Sequence, residues 1–68
     1  MFKITLAAAR VNVGLSQKEA ANRLNISNKT LCRWETGASF PNATQIDKLC
    51  ALYQVDYSHL IFKPSNSL

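Results

Sequence analysis

Two short amphipathic helices joined by a tight turn, in residues 17–36, constrain the fold of this chain more than any other feature. Ser16 can cap the first helix, because its hydroxyl can accept from the N–H of Glu19 while the Glu19 carboxylate reaches back to the Ser16 N–H. Ser27 can open the second helix in the same way. Asn25 lies between them and tolerates the positive φ of a sharp turn, so the turn needs no glycine.

The inner face of this pair of helices is apolar. Helical spacing places six residues on it: Ala20, Ala21, Leu24, Ile26, Leu31 and Trp34. Ile26 fills the turn, and Ala21 has only a methyl group, so the two helices can cross closely.

The outer face of the second helix is cationic and rich in hydrogen-bonding groups. With Leu31 pointing inward, the outward and flanking positions hold Asn28, Lys29, Thr30, Cys32, Arg33 and Thr36. On an arbitrary amphipathic helix such a stripe is usually a solvated surface. Here it occurs together with the turn chemistry and the small Ala21, and this combination favours a nucleic-acid-reading helix.

The sequence resembles the helix-turn-helix family of phage repressors and Cro proteins, often called the XRE or Cro/repressor type. The resemblance covers residues 6–62, and its most specific parts are GLSQKEAA at 14–21, NISNKTLCRWETG at 25–37, Pro41, and VDYSHLI at 55–61. It implies an all-α, compact five-helix domain in which the second and third helices form a central helix-turn-helix and the third enters the major groove. Asn25 stands where the family often has glycine, and Ala20 where a larger aliphatic residue is common.

The candidate DNA contacts are the outward residues and the first residue of the motif. They are Gln17, Asn28, Lys29, Thr30, Arg33 and Thr36. Arginine and lysine suit the O6 and N7 acceptors of guanine, and asparagine suits adenine, so we expect Asn28, Lys29 and Arg33 to read bases. The two threonines are expected at phosphate or at the groove edge. Gln17 is expected to hold phosphate through its side chain and its backbone N–H.

The helix before the motif carries a charge on its apolar face. Leu6, Ala9, Arg10 and Val13 recur at steps of three and four residues. An arginine on such a face requires a carboxylate, and the family resemblance implies a partly buried ion pair between Arg10 and Glu35. Gly14 can adopt a positive φ and is expected to end the helix.

Two further helices are expected after Gly37. Asn42 can cap a fourth helix with Gln45 at its third position. The free backbone N–H groups at the N-terminus of this helix are a candidate phosphate-binding site. The buried stripe of that helix is Ile46, Leu49, Cys50 and Tyr53. Asp56 is expected to cap a short fifth helix over 57–62, with Leu60 inward and Ile61 or Phe62 near the surface.

Length and charge agree with this interpretation. A chain of 68 residues suits one domain, which we expect at 1–63, followed by a frayed polar tail at 64–68. The net charge of +4 favours an anionic partner. Its distribution is more informative, because residues 17–34 contain four basic side chains and one acidic side chain. No apolar run approaches the roughly 20 residues that cross a bilayer, so we expect a cytoplasmic protein.

Composition disfavours an enzyme and a metal site. Cys32 and Cys50 lack C-x-x-C spacing and are expected to be reduced thiols, with Cys50 filling the core. With His59 they make three scattered ligands, one short of a structural zinc site. One histidine and four carboxylates give no evident acid–base pair and no nucleophile with a neighbouring base. No cofactor is expected.

The function we expect is a sequence-specific double-stranded DNA-binding transcriptional regulator, of the repressor type that phages and mobile elements carry. The alternative is an antitoxin-like protein that binds both DNA and a protein partner. A weak homodimer, or a dimer formed on the operator, would use an apolar surface of Phe40, Tyr53, Tyr57, Ile61 and Phe62. These side chains could instead close the core from the C-terminal side, and the sequence leaves both readings open.

Overall fold

The structure, a computed structural model, describes residues 2–62, so the tail expected at 64–68 lies outside the described residues. Within residues 2–62 the chain forms four α-helices, one 3₁₀ turn and two short strands. In chain order they are β1 (Ile4–Thr5), α1 (Leu6–Asn12), α2 (Gln17–Leu24), α3 (Asn28–Thr36), α4 (Ala43–Tyr53), the 3₁₀ turn (Tyr57–His59) and β2 (Leu60–Ile61).

The helices of the motif and α4 begin where the sequence predicts. The Glu19 N–H donates to the Ser16 hydroxyl at 3.0 Å, and the Ser16 N–H donates to the Glu19 carboxylate at 2.8 Å. These bonds to Ser16 lower the pKa of Glu19. Asn42 and Gln45 form the same reciprocal pair at the start of α4, with both distances 2.8 Å. Both capping boxes are therefore confirmed.

Residues with positive φ cap the C-terminal ends of α2, α3 and α4. Asn25 has φ 60° and ends α2, as predicted, and Gly37 has φ 87° after α3. Gly14 has φ 78° two residues after the end of α1. Gln54, which ends α4 with φ 57°, was not predicted, because glutamine carries no preference for this conformation.

The compact, mostly helical domain is confirmed, but the prediction of a fifth helix over 57–62, and with it of five helices and no sheet, is wrong. Asp56 does cap a turn, since its carboxylate accepts the Ser58 N–H at 3.0 Å, but that turn spans only Tyr57–His59. The chain then extends into β2, which pairs in parallel with β1, with Leu60 opposite Ile4. A one-turn helix gains few hydrogen bonds, whereas this pairing satisfies the backbone and buries both aliphatic side chains.

One apolar core joins the helices and the sheet. Its buried residues are Ile4, Leu6, Ala9, Ala20, Ala21, Leu24, Leu31, Trp34, Leu49, Tyr53 and Leu60. The buried alanines of α2 let α3 approach closely, as the sequence predicts, and Ile26 in the turn is partly buried against the same core. This packing fixes the inner side of α3 and leaves its opposite side at the surface.

Candidate nucleic-acid interface

One side of α3 is packed and the other is open. Leu31 and Trp34 point into the core and are almost fully buried. Asn28, Lys29, Cys32, Arg33 and Thr36 are exposed, and Thr30 is half-buried at the edge. The structure thus places five of the six predicted DNA-contact residues on one helix, and the sixth, Gln17, at the start of α2.

The open side of α3 carries uncompensated positive charge. Lys29 and Arg33 are four residues apart, so they share one face. Among the residues that the structure describes, the ion pair formed is that of Arg10 with Glu35, which leaves both cations of α3 without a carboxylate. A phosphate or a base acceptor would provide the missing partner.

The two threonines of α3 have local partners. The Thr30 hydroxyl accepts from the Ser27 hydroxyl at 2.9 Å, and the Thr30 N–H donates to the Ser27 hydroxyl oxygen at 3.0 Å. The Thr36 hydroxyl donates to the Arg33 carbonyl at 3.3 Å. Both hydroxyls are thereby oriented at the ends of the exposed stripe.

Arg10 and Glu35 form a partly buried ion pair that joins α1 to α3. Arg10 Nε donates to Glu35 Oε2 at 2.8 Å and Nη2 donates to Oε1 at 3.3 Å, while the two side chains are 15% and 7% exposed. Arg10 Nη1 donates to the Leu15 carbonyl at 3.0 Å, which fixes the segment before α2. The hydrogen bonds to Glu35 raise the pKa of Arg10 above its ordinary value.

Gln17 belongs to the same cluster, which sequence reasoning missed. Its Nε2 donates to Glu35 Oε1 at 3.0 Å. The signal was available in the helical period, because Gln17 precedes Ala20, Ala21 and Leu24 by three, four and seven residues and therefore lies on the inner face of α2. Glu35 accordingly accepts donors from both α1 and α2.

Tyr53 of α4 approaches this cluster from the core. The residue is 1% exposed, and its hydroxyl has no hydrogen-bond partner among the described residues. Burial, with a smaller contribution from the Glu35 charge, raises the pKa of Tyr53 to about 12. The prediction that Tyr53 contributes to a dimer surface is therefore wrong, because its ring faces inward.

Comparison with known proteins agrees with this geometry. A family described as a helix-turn-helix domain matches residues 4–60. The chain belongs to the helix-turn-helix family. It is also 40% identical over 58 residues to the HTH-type transcriptional regulator ImmR of Bacillus subtilis (strain 168), a match that covers 85% of this chain and 46% of that protein. The chain thus spans about half the length of this relative.

An apolar strip lies at the surface of this helix-turn-helix domain, formed by Phe40, Tyr57, Ile61 and Phe62. Phe40 and Tyr57 are more than half exposed, and Ile61 is also exposed. The Phe62 ring is half-buried, and its centroid lies 6.3 Å from that of Phe40 and 6.3 Å from that of Tyr57. A shallow hollow lined by Ala43, Ile46, Asp47 and Tyr57 adjoins the strip.

The two cysteines of the helix-turn-helix domain are free thiols that form no disulfide with each other. Cys32 is exposed on α3, whereas Cys50 is half-buried against the core, and burial raises the pKa of its thiol. Residues 2–62 contain no group of three side chains arranged to hold a metal ion. None of the helices in that range has the length and apolar character needed to cross a membrane.

The ion pair leads to a stability prediction. We expect Glu35→Ala to cost about 3–5 kcal/mol, because it strands the partly buried Arg10 charge. Replacing both partners with apolar residues, Arg10→Met with Glu35→Leu, should cost much less. Urea unfolding followed by circular dichroism measures both, and Asp47→Ala, which removes an exposed carboxylate, is the matched control. An unchanged midpoint for Glu35→Ala would contradict the buried pair.

Tyr53 leads to a prediction about alkaline pH. An unfolded tyrosine ionises near pH 10, whereas Tyr53 in the folded protein stays protonated until about pH 12. Between pH 10 and pH 12 the folded state therefore binds more protons than the unfolded state. The contribution of Tyr53 to the free energy of unfolding is complete below pH 10 and falls by roughly 2–3 kcal/mol as the pH rises to about 12. Tyr53→Phe should remove this part of the pH dependence, and the exposed Tyr57→Phe should retain it. Equal pH slopes for wild type and Tyr53→Phe would refute the assignment.

Proposed function

We propose that the protein is a sequence-specific, double-stranded DNA-binding transcriptional regulator that inserts α3 into the major groove. The observation that carries the proposal is the exposed, uncompensated cationic face of α3, held outward by the buried Leu31 and Trp34. The name of the similar ImmR protein, a transcriptional regulator, supports the same role. We place this regulator in the cytoplasm, where its operator DNA is accessible.

Chemistry assigns different roles to the residues of this face. Arg33 and Lys29 suit the O6 and N7 acceptors of guanine, and Asn28 suits the N6 and N7 atoms of adenine. Thr30 and Thr36, at the ends of the stripe, suit phosphate oxygens or the groove edge. Gln17 and the Ala43 and Thr44 amides at the start of α4 are further phosphate contacts, since early N–H groups of a helix have no acceptor within it.

Repression is the mode of regulation that we infer. A small domain bound over a promoter excludes polymerase without needing an activating surface. Residues 38–46 contain no basic side chain, so contacts with the DNA backbone in this region depend on amides and hydroxyls. The affinity of one copy is accordingly modest, which makes a second copy on the same operator useful.

Two copies are proposed to bind one operator through the apolar strip. A single reading helix contacts a few base pairs, and two copies related by a dyad place their α3 helices about 34 Å apart, one turn of DNA. Phe40 is exposed on the strip that adjoins the hollow lined by Ile46 and Tyr57, and in the proposed two-fold dimer each Phe40 enters the hollow of the other copy. This surface is small, and the association is therefore weak without DNA.

Base reading by Arg33 is tested with two substitutions. We expect Arg33→Ala to cost about 1–3 kcal/mol on the preferred duplex and to relax preference at one base pair. Arg33→Lys keeps the charge but loses the bidentate geometry, so it should keep its affinity for random DNA while losing that preference. Fluorescence anisotropy on selected and random duplexes measures both. Equal losses on the two duplexes would restrict Arg33 to phosphate, and unchanged affinity would make it a solvated side chain.

Dimer formation on DNA is tested by sedimentation with a palindromic duplex. Two proteins per duplex are expected at saturation, with free protein mostly monomeric at low concentration. Phe40→Glu should abolish the second, cooperative binding step, because it places a charge in an apolar contact. The same change at Val11, an exposed residue of α1 outside the strip, should leave that step intact. One protein per palindromic duplex at saturation would rule out the dimer.

A further inference from the structure

A hollow of about 130 Å³ lies between the turn of the helix-turn-helix motif and α4, on the inner side of α3. The residues that line this hollow, the turn pocket, are Leu24, Asn25, Ile26, Trp34, Gln45 and Lys48. We propose that the turn pocket binds a small aromatic carboxylate, with the ring against the apolar side chains and the carboxylate at Lys48 and Gln45. The inference stands apart from the proposed DNA-binding function, which uses the opposite side of α3.

The apolar side chains of the turn pocket set the size of the ligand. Leu24 and Trp34 are only 7% and 4% exposed, and Ile26 is partly buried against the core beside them. A cavity of about 150 Å³ holds one benzene ring. A hollow of about 130 Å³ that is partly open to solvent therefore takes a single ring and leaves the polar substituent of that ring near its mouth.

The polar side chains that α4 contributes to the turn pocket are hydrogen-bond donors. Gln45 Oε1 already accepts the Asn42 N–H at 2.8 Å, and this bond leaves the two N–H groups of Gln45 Nε2 without an acceptor among the described residues. Lys48 follows Gln45 by three residues, so the two share one face of α4. Within residues 2–62 Lys48 has no carboxylate partner, and the neighbouring Asp47 lines the other hollow, beside Tyr57.

The end of α2 opposes an anion less than Lys48 attracts it. The C-terminus of a helix carries about half a unit of negative charge, and α2 ends at Asn25. Part of that charge is already satisfied, because the carbonyls of Ala21 and Asn22 accept the N–H groups of Ile26 and Asn25 at 3.0 and 3.1 Å. The ammonium of Lys48 carries a full unit of positive charge, so the lining favours an anionic ligand.

Binding is tested with benzoate as the probe. Trp34 is the one tryptophan of the chain, so its indole N–H resonance reports on the turn pocket alone. Benzoate should shift this resonance saturably with a Kd of about 1 mM, or roughly 0.5 kcal/mol for each non-hydrogen atom. Benzyl alcohol, which is neutral, and benzylammonium, which is a cation, have a similar size and should bind more weakly. A shift that rises without saturation, or a control that binds as tightly as benzoate, would overturn the proposal.

Substitutions at two exposed lysines test the role of the charge. Lys48→Met should weaken benzoate binding about two- to fivefold, since solvent screens an exposed charge. Lys18→Met is the matched control on α2, outside the turn pocket, and should leave the Kd unchanged. Lys48→Glu should reverse the preference, so that benzylammonium binds more tightly than benzoate. Equal benzoate affinity in the wild type and Lys48→Met, or an unchanged preference in Lys48→Glu, would overturn the assignment.

Discussion

The carboxylate of Glu35 is the interaction on which the arrangement of the helices depends. It lies on α3, yet it accepts donors from Arg10 of α1 and from Gln17 of α2. Arg10 extends the cluster to the Leu15 carbonyl, which fixes the entry to α2. In a chain of 68 residues with a small core, this cluster adds polar contacts between three helices to the apolar packing that holds them together.

The same helix serves the core and the surface because its two faces differ. Leu31 and Trp34 anchor α3 against the small alanines of α2, so the outward direction of Lys29 and Arg33 is fixed by packing on the other side. Rigid support matters for reading bases, since a bidentate contact tolerates little displacement. The β1–β2 pair adds to this rigidity by joining the two ends of the described chain through Ile4 and Leu60.

The features that could be predicted from the residues alone are local ones, whereas the pair of Arg10 with Glu35, 25 residues apart, was expected from the family resemblance. The capping pairs Ser16–Glu19 and Asn42–Gln45 span three residues each, and the helical period fixes which side of α3 faces out. The features that were missed join distant positions. The pairing of Ile4 with Leu60 replaced an expected helix, and the bond from Gln17 to Glu35 crosses 18 residues. Neither partner of such a contact reveals the other through local propensity, because tertiary packing decides the pairing.

Base reading by the exposed face of α3 is tested by selecting bound duplexes from a random pool and sequencing them. We expect one enriched sequence with a short half-site repeated in inverted orientation, its two copies centred about 10 base pairs apart. Guanine and adenine should occupy the positions within reach of Arg33, Lys29 and Asn28. A pool that binds without enrichment, every sequence with the same affinity, would show that α3 does not read bases.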